Sequence, residues 1–122
     1  MSYTLRMHGV ILGRSELEES DEDRGIASGA FRPGLGYELV QPIFELHREA
    51  TTSAGEVVDP EKLARYEKAA ATLGLEVVDA SGEVVAAETI LLRTTEGRKT
   101  PRLEVRIGDP AYWTARRSRT NR

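Results

Sequence analysis

The chain predicts an α+β domain in which an antiparallel sheet of about five to seven strands carries two helices on one face. Two observations make that prediction. Short runs of period two occupy both ends of the chain, and two segments of helical period lie together between them, at about 37–50 and 60–73. A doubly wound parallel sheet would need strands and helices in alternation, and this order does not alternate. The 122 residues fit one domain, read as 1–113, followed by a basic flexible tail at 114–122.

The elements follow in order. Tyr3 to Arg6 and Val10 to Leu12 are β-type runs flanking Met7-His8-Gly9, which predicts a hairpin. Gly13 interrupts the pattern, Ser15 to Glu18 reads as a further short strand, and Glu19 to Arg24 as a charged surface loop. Ile26 to Phe31, rich in small residues, re-enters the sheet. From Tyr37 the period changes: Leu39, Ile43, Leu46 and Ala50 recur at helical spacing. Pro42 is tolerated if the helix begins near Val40. Asp59-Pro60-Glu61 is a helix start with an N-cap, a proline in the first turn and an early acid, and Gly74 ends that helix. Leu75 to Asp79 and Glu83 to Arg93 read as a hairpin around Ala80-Ser81-Gly82. Thr94 to Pro101 is a basic loop, and Leu103, Val105 and Ile107 form a last strand with one dry face. Ala111, Tyr112 and Trp113 pack back on the body before the tail.

Composition narrows the chemistry. No cysteine is present, which removes disulfides, thiol nucleophiles and cysteine-ligated metal. No segment approaches the roughly 18 apolar residues of a membrane span, and Met1 to Leu12 does not read as a signal peptide, so the expectation is a soluble cytoplasmic protein. The net charge of −3 is asymmetric: residues 1–60 carry −6 and residues 61–122 carry +3. The acids concentrate in Glu16, Glu18, Glu19, Asp21, Glu22 and Asp23, and the bases in Arg116, Arg117, Arg119 and Arg122.

The segment Gly25 to Tyr37 holds four glycines and Pro33, more than packing alone requires. Gly34-Leu35-Gly36 precedes a helical pattern beside Arg32, yet neither phosphate-binding glycine signature is present, so the segment reads as a tight strand-to-helix crossover. His8 falls at a hairpin turn and His47 on a helix flank near Glu45 and Glu49, without metal-ligand spacing. Glu16 and Glu18 share a face if Ser15 to Glu18 is a strand, but the like charge around them marks a solvated rim. The serines lack a nucleophile context. Arg93, Arg98, Lys99, Arg102 and Arg106 lie without interleaved phenylalanines in an acidic protein, which disfavours nucleic acid as a partner.

The line Val10-Ile11-Leu12-Gly13-Arg14-Ser15-Glu16-Leu17-Glu18, followed by Gly25 to Pro33 and later Val77 to Gly82, resembles a pattern in small uncharacterised bacterial single-domain proteins. That resemblance covers most of the chain, implies a single α+β domain and, because the group has no established activity, transfers no site.

With no catalytic constellation and no cofactor expected, the first reading is a non-enzymatic module that binds a protein partner. Immunity-type and defence-accessory proteins are settings of that kind. Its contact residues would be Glu18, Glu19, Asp21, Glu22 and Asp23, with Arg32 and Tyr37 beside the glycine segment. The second reading is a small enzyme or binder of an anionic ligand, with Arg32, Tyr37 and His47 converging between helices and sheet. A third is a self-associating subunit, a homodimer, that pairs through a free edge at Leu103 to Ile107.

Overall fold

Eight strands and three α-helices form among the residues that the computed structural model describes, which are 2–52, 54–93 and 101–120. β1 (Tyr3–Met7) and β2 (Val10–Ser15) make the expected hairpin. Its loop is His8-Gly9, with φ of 49° and 82°, the pair of left-handed residues that a two-residue hairpin turn requires. The register shifts between Leu5 and Arg6, leaving Leu12 as an extra residue on β2. That bulge turns Leu12 and Gly13 inward together and leaves Val10 and Ile11 outside together.

β3 (Glu19–Asp21) and β4 (Ile26–Pro33) form a second hairpin where a charged loop was expected. β2 pairs with residues 31–33 of β4 and β3 with residues 26–28, in registers that differ by one residue. Together they are one strand path along β4, broken at 16–18. Leu17 causes the break: its φ is +45°, outside the extended region. The break is then held by side chains. Buried Ser15 Oγ accepts the Leu17 N–H at 3.1 Å, and Glu18 Oε1 accepts the Ala30 N–H at 2.9 Å in place of a ladder partner. Glu16 and Glu18 therefore do not share a strand face.

A 3₁₀ helix (Leu35–Leu39) leads into α1 (Gln41–Ala50), with Pro42 in the first turn. α2 (Pro60–Ala70) starts on Asp59, whose side chain accepts the Lys62 N–H at 3.1 Å, and Gly74 follows it at φ +60°. The segment Glu83 to Arg93, read from sequence as one strand, divides into β6 (Val84–Val85), on β5 (Leu75–Val78), and β7 (Thr89–Arg93), on β8 (Arg102–Arg106). The partner changes at residues 86–88: the Glu88 N–H already donates to Arg106 O at 2.8 Å.

All pairings are antiparallel, and the strand order is β6-β5-β1-β2-β4-β8-β7, with β3 also on β4. The terminal strands of that order, β6 and β7, are consecutive in the chain. A flat sheet would put them about 29 Å apart, at roughly 4.8 Å per spacing. The link from Val85 to Thr89 reaches at most about 14 Å. The sheet must therefore curl until its two edges approach each other, as observed. β8 pairs on both sides, with β4 and β7, so Leu103 to Ile107 offers no free edge to a second copy.

Leu5, Leu12, Phe31, Val77, Leu92, Leu103 and Val105 of the sheet share one core with Val40 and Phe44 of the first helical region and Tyr66 of α2. α3 (Pro110–Thr120) occupies residues read from sequence as a tail beyond 113. Trp113 anchors it: the side chain is buried and its Nε1–H donates to Ile107 O at 2.8 Å. Arg116 ties the helix to the break in the β2–β3 path through Leu17 O. These contacts offset the entropy of ordering the segment. Thr94 to Thr100, with Arg98 and Lys99, and Arg122 lie outside the described residues.

Gly29 completes the latch at the break. A Cβ there would stand 2.2 Å from Glu18 Oε2 and 2.9 Å from Ser15 Oγ, so only glycine lets the carboxylate reach Ala30. Gly29→Ala is expected to cost about 1–3 kcal/mol by overpacking, and Glu18→Ala about 1 kcal/mol at this solvent-exposed bond. In the double variant the Gly29→Ala cost falls by about 1 kcal/mol, because the main obstacle is gone. Urea unfolding of all four chains measures the cycle, and strict additivity would remove the latch.

Candidate functional site

Arg32, Tyr37 and His47 each engage different partners. Arg32 projects from the β4 face opposite Phe31, largely exposed, and pairs with Glu16 at 3.6 Å. Tyr37 packs its ring on Phe31 at 5.8 Å between centroids. Burial, and then Glu45, raise its hydroxyl pKa above the ordinary tyrosine value. His47 sits edge-on to Tyr66 at 4.9 Å, and Tyr66 also meets Phe44 at 5.9 Å. No hydrogen bond, ion pair or ring contact joins any two of the three.

The acidic run is largely engaged by the fold. Glu18 is the latch. Desolvation pushes its pKa up, but the Ala30 N–H, its own N–H, Arg102 and Arg32 together hold it below the usual carboxylate value. Glu19 pairs with Arg102 at 2.7 Å, and Asp21 accepts the Arg24 N–H at 3.3 Å at the start of the turn. Glu22 and Asp23 line a shallow groove of about 400 Å³ against Ile107, Pro110 and Trp113. The last two acids of the run thus lie on a concave surface. The basic stripe is likewise partly neutralised, with Arg93 on Glu104 at 3.2 Å and Arg102 on Glu19. Among the described residues, no group of three histidines or acids is placed to hold a metal ion, and no helix is long and apolar enough to cross a membrane.

The glycine segment is the crossover its composition predicted, and it builds an apolar face. The Gly34 N–H donates to Leu12 O at 2.8 Å, so that donor is not available to an anion. Gly36 lies directly on β2: a Cβ there would come within 2.7 Å of Ile11 O and 2.8 Å of Val10 Cγ1. Around this contact four large apolar side chains face solvent. Leu35 is fully exposed, Leu39 is 61% exposed, Ile11 49% and Val10 42%. Leu39 eclipses Gly36 one 3₁₀ turn later, and the β2 bulge supplies the adjacent pair Val10 and Ile11.

Sequence reasoning assigned Val10 and Ile11 to an ordinary hairpin and Leu39 to the buried stripe of a helix. One signal for the face was present: Leu35 stands alone between two glycines, on a turn with no apolar neighbour to cover it. No known protein family, curated protein or solved structure matches the chain.

The burial of His47 makes the helical layer sensitive to acid. Burial first, and Arg93 second, lower the His47 pKa below its usual 6.5, against the opposing pull of Glu104 and Glu67. The fold therefore favours neutral imidazole. Its contribution to stability is complete above about pH 6.5 and is lost as the pH falls through the lower folded value. His47→Gln is expected to unfold at a urea midpoint that changes less than the wild type's between about pH 7.5 and 5. Parallel midpoints for the two proteins would contradict this assignment.

Proposed function

We propose that the protein is a protein-binding module whose contact face is the apolar surface built where the 3₁₀ helix packs on β2. A single observation carries the reading: Val10 and Ile11 on β2, and Leu35 and Leu39 on the 3₁₀ helix that packs against it, all face solvent. Scattered exposed aliphatics are ordinary, whereas four on two elements packed against each other are a mark of a contact surface. Leu35 is as exposed as in an unfolded chain, so covering it would contribute about 2 kcal/mol by itself. Such a knob fits a concave apolar pocket on a different protein.

The sequence-based reading placed contact on the acids Glu18, Glu19, Asp21, Glu22 and Asp23. Internal bonds to Glu18, Glu19 and Asp21 favour the apolar face instead, and Glu22 and Asp23 line a groove beyond the far end of the β2–β3 path. In this reading salt weakens partner binding only modestly, because few rim charges remain to be screened.

The test compares wild type with Leu35→Asp, a substitution at a fully exposed position that leaves the far-UV spectrum unchanged. A stoichiometric partner retained by the wild type should be lost, or weakened about tenfold or more, by the variant. Equal capture by both proteins would overturn the proposal. A wild-type mass that doubles with concentration and reverts in Leu35→Asp would make the occupant a second copy, and the different-partner reading would fail.

A further inference from the structure

The curl of the sheet leaves a seam between its two edges, and the seam contains a cleft of about 410 Å³. Three elements line it. Tyr66, Ala70 and Ala71 come from α2 and its end, Gly74 and Leu75 from the start of β5, and residues 87–90 from the link into β7. The volume falls in the range of small-molecule sites. Alanine and glycine hollow the wall, while Leu75 and Ile90 make it apolar.

Within this wall one buried polar group is left over, with the exposed Thr89 hydroxyl at the rim. Tyr66 is 9% exposed, and its hydroxyl makes no hydrogen bond to any described residue, yet it is not sealed from solvent. Burial, with a further contribution from Glu67, pushes its pKa up to about 12, which keeps it a neutral donor and acceptor. The charges of the lining have one sign. Glu67 and Glu88 are present, with no lysine, arginine or histidine. Glu67 has no cationic partner among the described residues, and the Glu88 carboxylate lies toward Gly108.

From this the geometry points to a binding site for a small organic cation with an apolar body, an alkyl- or arylammonium. Its hydrocarbon part would lie against Ala70, Ala71, Leu75 and Ile90, and its ammonium would donate to the Tyr66 hydroxyl under the field of Glu67. A carboxylate of the same shape would meet the like charge of Glu67, and the His8 imidazole lies on the far side of the cleft wall against Gly74. This site is separate from the apolar contact face, so the two proposals stand or fall independently.

Three probes with one indole body and three charges test it: tryptamine, tryptophol and indole-3-propionate, titrated calorimetrically into the intact chain. Tryptamine should bind saturably, tryptophol about five- to tenfold more weakly, and indole-3-propionate not measurably. Glu67→Gln should erase the difference between tryptamine and tryptophol, and Tyr66→Phe should weaken both a few-fold. Ala71→Trp, at an exposed position beside the cleft, should block all binding while the fold persists by circular dichroism. Equal affinity for the three probes, no binding of any, or tryptamine binding unaffected by Ala71→Trp would each overturn the proposal.

Discussion

The shortest covalent constraint in the molecule governs its architecture. Strands at opposite ends of the sheet order, β6 and β7, are separated by only residues 86–88. No flat arrangement satisfies that link, because about 14 Å of chain must close what would otherwise be about 29 Å of sheet. Curling the sheet creates a concave interior, and Leu5, Phe31, Val77, Leu92 and Leu103 fill it. The two edges approach but do not pair with each other. The helices pack against one side of the opening: Tyr66 on α2 meets Phe44 and His47 on α1, and α1 contacts β7.

A second constraint acts through β4, which serves β2, β3 and β8. Two strand segments in different registers can share one edge only if the path between them absorbs a residue. Leu17, in the left-handed region, absorbs it. The backbone groups displaced there are recovered by Ser15 and Glu18, and by Arg116 reaching from α3. This explains why a carboxylate from a conspicuous acidic run belongs to the framework. Charge density along a sequence does not distinguish an acid that caps backbone N–H groups from one that waits for a partner. The distinction depends on what the rest of the fold leaves unsatisfied.

The two proposed surfaces arise from these same devices. The bulge on β2 and the 3₁₀ helix that packs on it at Gly36 leave four apolar side chains facing outward. The incomplete closure of the sheet leaves a hollow under small side chains of α2 and the β7 link. One surface is a projection and the other a slot, so they suit different occupants. Both lie where the regular ladder is interrupted, because an uninterrupted ladder over a filled core exposes neither a knob nor a cavity.

The chain's local order announced much of this. Period two and period 3.6 located most strands and both central helices. His8-Gly9, Asp59-Pro60 and Gly74 marked a hairpin turn, a helix start and a helix end, because backbone chirality and capping are decided by the few residues involved. The crossover at Gly34-Leu35-Gly36 was legible for the same reason. What local order could not supply was partnership. Glu83 to Arg93 reads as one strand, and only the competition between β5 and β8 for its backbone divides it. Glu19 to Asp21 is polar enough to be a loop, and only β4 makes it a strand. The basic end beyond Trp113 becomes helix because Trp113 and Arg116 find acceptors on Ile107 and Leu17. Hydrogen bonds between residues as much as 99 positions apart carry no trace in a short window of sequence. Turns and periods were therefore fixed locally, while strand pairing, the seam, and the availability of each charged or apolar side chain were decided by the assembled tertiary structure.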